Sequence, residues 1–247
     1  MAMAVSSENL INRSLAGLFL PFRPTLSRHA ARLLGVPTEI GEKVLDYLPI
    51  DGFSPDVVLL EQDGSEIRVV IETKLFAAAQ ATALVTVQSA PAREGDERAK
   101  AVHDAVADPS YGVQGGKVNA RGVKPEGVWQ IDAYYGWKWW AKDFPQLSLA
   151  PDAQFIYLSL DGGEASAKYD GAASADHWRA TSLVDLVVGL NRELRREREH
   201  GFAPGESGAF TQDEKDAIVV LTFLVYTHLG GEHVRALDWV EAELARS

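Results

Sequence analysis

The chain has 247 residues, 46% of them hydrophobic and 24% charged, which is the composition of a globular protein and excludes a disordered or collagen-like one. It contains no cysteine, so a disulfide framework, a thiolate zinc site and a cysteine nucleophile are excluded. Its formal net charge of −11 argues against broad affinity for nucleic acid, because phosphate contacts need a basic surface.

No apolar run is long enough to span a bilayer, and no basic segment precedes an apolar run at the start. Neither a membrane contact nor a secretory signal is expected, and the missing cysteines fit a cytoplasmic location. The charge is uneven. Residues 201–247 carry 3 basic and 8 acidic side chains, whereas residues 93–142 carry 8 and 7. A central basic face therefore survives the overall deficit.

Residues 7–35 read as helical, with Leu10, Ile11, Leu15, Leu18 and Leu20 apolar and a break at Pro21 and Pro24. Residues 44–49 read as a short edge strand. Val57–Leu60 and Ile67–Ile71 flank Gln62-Asp63-Gly64-Ser65, the pattern of a β-hairpin buried on both faces. The Ala-rich stretch 75–90 reads as helical at first. Residues 94–108 read as a surface helix with Ala101, Val102, Ala105 and Val106 inward. Residues 109–127 hold five glycines and two prolines and read as a long loop. Residues 128–142 read as an aromatic helix despite Gly136. Phe155–Leu160 and Trp178–Thr181 read as strands. Ser182 caps a helix to about His200, and residues 211–246 read as two helices split at Gly230-Gly231. The expectation is an α/β fold: a mixed central sheet flanked by helices in residues 1–205, with a two-helix extension at 206–247 packed on the same domain.

Asp56, Glu72 and Lys74 stand out, because charges are rarely placed in apolar strands unless paired or bound to metal. Glu72 and Lys74 are two apart and share a face. A two-residue turn at Asp63-Gly64 would pair Asp56 with Ile71 and turn Glu72 away. One extra residue, as a longer loop or a bulge, pairs Asp56 with Glu72 instead. A three-residue loop or a bulge is predicted, because only such an arrangement converges the carboxylates. Two converging carboxylates suit a hard cation such as Mg²⁺, with Mn²⁺ expected to substitute. Such an ion acidifies water, and a neighbouring ammonium offsets charge developing on a phosphoryl group.

Ser54-Pro55-Asp56, fifteen residues and then Glu72-Thr73-Lys74 resembles the core motif of the PD-(D/E)XK nuclease superfamily. The resemblance implies a restriction-endonuclease-like fold, metal ligation by Asp56, Glu72 and the Thr73 carbonyl, and Lys74 as catalytic lysine. Gln130 and Tyr134 resemble the Gln-x-x-x-Tyr motif of the RecB-like branch and share one helical face. Lys138 continues that stripe toward a phosphate. Fifty-five residues separate Lys74 from Gln130, more than the branch usually has. Either 75–127 is an insertion, or Gln80 takes the helix position. Glu8 matches the acidic residue that members often carry on their first helix. Trp178, Thr181-Ser182 and Asp185-Leu186 resemble the closing strand and helix of the core. The likeness spans about residues 8–200.

The function implied is Mg²⁺-dependent hydrolysis of DNA phosphodiesters, in bacterial defence or DNA repair. Lys117, Arg121 and Lys124, basic residues of the Gly-rich loop, are candidate DNA contacts. The alternative is an inactive nuclease-fold module that binds DNA, a protein partner or a second copy of the chain. Trp137, Trp139 and Trp140 read as core, and the Arg192–Arg198 run, interleaved with glutamates, as a solvated helix face.

Overall fold

A computed structural model describes residues 7–37, 44–45, 55–61, 64–75, 81–83, 95–108, 111, 127–141, 143–200 and 209–228. Its centre is a mixed sheet of five strands: β1 (Val44–Leu45), β2 (Val57–Leu60), β3 (Glu66–Lys74), β6 (Ser148–Ser159) and β7 (Trp178–Ser182), in that spatial order. β1, β2 and β3 are antiparallel neighbours, whereas β3, β6 and β7 run parallel. Lys74, Ser159 and Ser182 are level in register, so the carboxyl ends of the three parallel strands form one edge. A separate two-stranded ribbon joins β4 (Ala81–Ala83) to β5 (Gly127–Trp129).

Helices cover one face of the sheet. α1 (Ser7–Gly17), α2 (Pro24–Leu34), α6 (Leu183–His200) and α7 (Gln212–His228) bury Ile11, Leu26, Leu186 and Ile218 against Leu59, Ile71 and Ile156. Each such side chain contributes about 1.5–3 kcal/mol when fully buried. The part of the C-terminal extension within the described residues thus shares the core of α1, and its second helix lies outside them. The other face carries an aromatic layer. α4 (Gln130–Gly136) and the segments after it bring Trp129, Tyr134, Tyr135, Trp140, Tyr169 and Trp178 onto Val58, Val70 and Phe155.

Local chemistry fixes the ends of these helices. Pro24 opens α2, since its missing N–H needs no partner in a first turn. Glu214 Oε1 then accepts from Thr25 N and Leu26 N, both at 2.9 Å. Its Oε2 accepts from Thr211 N at 2.8 Å while Glu214 N donates to Thr211 Oγ1 at 3.2 Å. Glu214 therefore completes a capping box on α7 and also places negative charge at the start of α2. Gly35 ends α2 with φ +63°, and Val36 N reaches back to Ala31 O at 2.9 Å, a Schellman ending. A Cβ at Gly189 would lie 2.5 Å from Leu33 Cδ2, so glycine there lets α2 and α6 approach.

Several expectations need correction. Residues 81–83, expected in a helix, form β4. Alternating Ala-Thr-Ala pairs with Gly127–Trp129, and that tertiary partner overrides alanine's helix preference. The aromatic helix is shorter than expected. Its start is β5, and Trp137 ends it in extended backbone, as the cost of an interior glycine at 136 allows. α3 (Glu97–Ala107) forms behind an Asp96 cap with Val102 and Val106 inward as expected, but Ala99 is buried instead of Ala101, which is exposed. β6 begins seven residues before Phe155.

Candidate functional site

The hairpin register decides whether the three charges meet. Val57 pairs with Ile71, Val58 with Val70 and Leu59 with Val69, and then Leu60 with Ile67. Arg68 is the extra residue of a bulge, as expected. Carried one step outward, this register sets Asp56 opposite Glu72. Side chains alternate along β3: Val69 and Ile71 face the helices, and Val70 faces the aromatic layer. Glu72 and Lys74 therefore face the aromatic layer too, at the carboxyl edge of the parallel strands.

Lys74 Nζ lies 2.6 Å from Glu72 Oε1, with the two side chains only 7% and 2% exposed. Tyr169 Oη donates to the same oxygen at 3.5 Å, the long end of a hydrogen bond. Tyr169 is fully buried and packs edge-on to Trp129 and Tyr157, at 5.6 and 6.1 Å between ring centroids. Burial pushes its phenol far above the usual range, and the charges of Glu72 and Asp56 and the nearby phenols of Tyr157 and Tyr134 add to this. The hydroxyl is a permanent donor. Asp56 is held from both sides: Asn12 Nδ2 donates to Oδ1 and Thr73 N to Oδ2, each at 2.7 Å.

Asn12 is 3% exposed on α1, and its Oδ1 is buried with no hydrogen-bond partner among the described residues. An unpaired acceptor beside a carboxylate calls for a donor, and a metal-bound water is one. Asp56, just before β2, and Glu72 in β3 are hard oxygen donors, the ligand type a hard cation takes. Mg²⁺ takes one or two carboxylates and keeps several waters, so the donor set fits it. Among the described residues, no group of three or more His, Asp or Glu side chains is placed to hold a metal.

The other expected site residues fall in different places. Tyr134 is 1% exposed in the layer over Glu72, and it interacts electrostatically with Tyr169. Gln130 begins α4, half-buried, and its buried Oε1 has no hydrogen-bond partner among the described residues. Glu8 lies in α1 one turn before Asn12, on the same stripe of backbone. Lys138 does not continue the Gln130–Tyr134 stripe. It follows the end of α4 and lines a cavity with Ser148 and Leu149, which pair with Glu66 and Ile67 at the far end of β3. Lys117, Arg121, Lys124 and Gln80 lie outside the described residues.

The sequence reading missed Asn12, Tyr157 and Tyr169. Asn12 left a signal, a polar residue inside the apolar stripe of α1. Tyr169 left none, because it caps α5 (Ala165–Lys168), a single helical turn within the connection between β6 and β7. Asp132 was also missed as a structural centre. It is fully buried and accepts from Tyr111 Oη, Ala173 N, Ser174 N and Ser174 Oγ at 2.5, 3.0, 2.7 and 2.6 Å, tying α4 to the β6–β7 connection.

Comparison with protein-family models, with curated proteins and with solved structures returns no match for this chain.

Proposed function

We propose that the chain is a metal-dependent nuclease of PD-(D/E)XK type that hydrolyses DNA phosphodiester bonds. One observation carries the reading: the bulge at Arg68 puts Asp56 opposite Glu72, with Lys74 on the same buried face. The position is also where open α/β sheets bind ligands, outside the carboxyl ends of parallel strands.

On this reading Asp56, Glu72 and the Thr73 carbonyl hold Mg²⁺ or Mn²⁺, with Glu8 as the further acidic residue that the resemblance implies. When bound, the ion supplies Lewis acidity and lowers the pKa of its water. The chain's own residues do the rest. Asn12 and Thr73 N fix Asp56. Tyr169 and Lys74 fix Glu72. The Lys74 ammonium orients the attacking water and offsets negative charge on the phosphoryl oxygens. Gln130 and Tyr134 support the site from α4. Incubation with linear, circular and single-stranded DNA and Mg²⁺ or Mn²⁺ should give cleavage that EDTA stops. Both Glu72→Gln and Lys74→Met should end it. If the parent protein cuts no form of DNA with either ion, the reading fails.

A second reading has its own support. Glu72 and Lys74 neutralise each other and are almost closed to water. This favours a nuclease-fold module that grips DNA or a protein without cutting. Retention of labelled DNA that is unaffected by EDTA, with no product, would select it.

A further inference from the structure

At the other end of β3 lies a cavity of about 600 Å³ that the nuclease reading does not use. Trp140, Ala141, Pro145, Leu147, Leu149 and Pro151 make most of its wall. The wall is fixed. Trp140 Nε1 donates to Leu147 O at 3.0 Å, and Ser148 N donates to Ser65 O at 3.0 Å. Arg98 Nη2 clips the rim by donating to Pro151 O at 3.2 Å and to Asp96 Oδ2 at 3.4 Å.

The polar lining is lopsided. Asp96 caps α3 and pairs with Arg98, so its charge is met within the wall. Lys138 is half-buried and lines the same space, yet among the described residues its ammonium takes part in no ion pair or hydrogen bond, only its backbone carbonyl accepting from Ala141 N. A preformed pocket of a few hundred Å³, walled mainly by apolar side chains with a few polar groups, is the usual form of a small-ligand site. The uncompensated ammonium sets the sign of what enters.

We propose that this cavity binds a small amphipathic anion, a flat apolar body carrying one anionic group, with the body against the Trp140–Leu149 wall and the anion on Lys138. The site is about 20 Å from Glu72, counting six residues of extended strand. It does not rest on the nuclease reading and stands or falls separately.

The test uses two fluorescent probes on the intact protein. Anilinonaphthalene sulfonate joins a flat apolar body to an anion, and N-phenylnaphthylamine has the same rings without the sulfonate. The parent should bind the sulfonate more tightly, and added salt should weaken that probe alone. Lys138→Met keeps the apolar stem and removes the charge. It should weaken the sulfonate by about fivefold, the size of a partly exposed ion pair, and leave the amine unchanged. Ala141→Trp fills the cavity and should abolish both. The proposal is overturned if the parent binds neither probe, if Lys138→Met affects both equally or neither, or if both still bind to Ala141→Trp.

Discussion

The Glu72–Lys74 pair gives the sharpest test, because a functional and a structural origin predict different thermodynamics. The two side chains are 2% and 7% exposed and 2.6 Å apart. Two charges taken out of water regain by mutual attraction roughly what desolvation costs, so such a pair is weak evidence for stability. Lys74→Met removes the ammonium, keeps the stem and leaves a carboxylate at a site with almost no water. The expected loss is about 3–5 kcal/mol. Glu72→Met strands the ammonium instead and should cost a similar amount. The double variant Glu72→Met/Lys74→Met strands neither. Its main new defect is the Tyr169 hydroxyl, whose lost acceptor costs about 1–2 kcal/mol. The double variant should therefore lie within about 2 kcal/mol of the parent, giving a coupling energy of at least about 3 kcal/mol in the cycle. Urea unfolding at fixed pH measures all four proteins, and a DNA-cleavage assay with Mn²⁺ runs beside it. A double variant that is folded, nearly as stable as the parent and unable to cut shows that chemistry keeps the charges there. A double variant as unstable as either single, or one that still cuts, refutes the reasoning.

Three further outcomes follow from named contacts. Asp132→Ala leaves four donors without their acceptor and should lower the unfolding free energy by about 3–5 kcal/mol in denaturant titration. Glu214→Ala removes the cap shared by α2 and α7, so a loss of about 2–4 kcal/mol is expected, with Glu214→Gln losing less. Half-burial lowers the His29 pKa from 6.5, only partly opposed by Glu193. The unfolded chain then binds the proton more readily than the native one, so stability present above about pH 6.5 declines as pH falls below it. Thermal melts between pH 7.5 and pH 5 should show a smaller decline in His29→Phe than in the parent, about within the window the ordinary imidazole pKa defines.

The sheet was legible where periodicity and turn chemistry agree. The β-branched runs around Gly64 announced β2 and β3, and the charges inside them demanded one extra residue, in the loop or as a bulge, which the bulge at Arg68 supplies. The apolar stretch after Gln154 announced β6, and Ser182 announced the start of α6, where its Oγ accepts from Asp185 N at 3.1 Å. What stayed hidden depends on partners far away in sequence. β4 exists only because β5 lies beside it, and nothing local in Ala81-Thr82-Ala83 says so. The end of α4 at Gly136 is set by the packing of Trp137 on His103, stacked at 4.1 Å between ring centroids. The site followed the same division. Asp56, Glu72 and Lys74 are conspicuous as charges among apolar neighbours. Tyr169 is not, because an aromatic residue at the end of a single helical turn looks like any other until the fold delivers it to a carboxylate.

The acidity of the chain is the main objection to the proposed nucleic-acid substrate, and the position of the described acids bears on it. The C-terminal acidic residues that the structure describes belong to α7, which packs with α1 and α6 on the helical face. Several acids of that side are already paired: Asp213 with Arg23 at 2.6 Å, Glu193 with Arg32 at 2.7 Å and Glu197 with Lys215 at 2.6 Å. Glu72 and Lys74 face the opposite layer. Between solvent-exposed charges, physiological ionic strength screens interactions over about 8 Å. The field of the exposed acids of α7 is therefore weakened in solution as seen from the far side of the sheet. On the nuclease reading an approaching phosphate meets the carboxyl edge, where Lys74 and a bound divalent cation would outweigh the charges of Asp56 and Glu72. Lower salt should consequently strengthen DNA binding, as it does for any local cationic contact, whereas a field set by the whole acidic chain would repel DNA more at low salt. The sign of that dependence, read from binding isotherms at two salt concentrations, decides between a local and a global account of the charge.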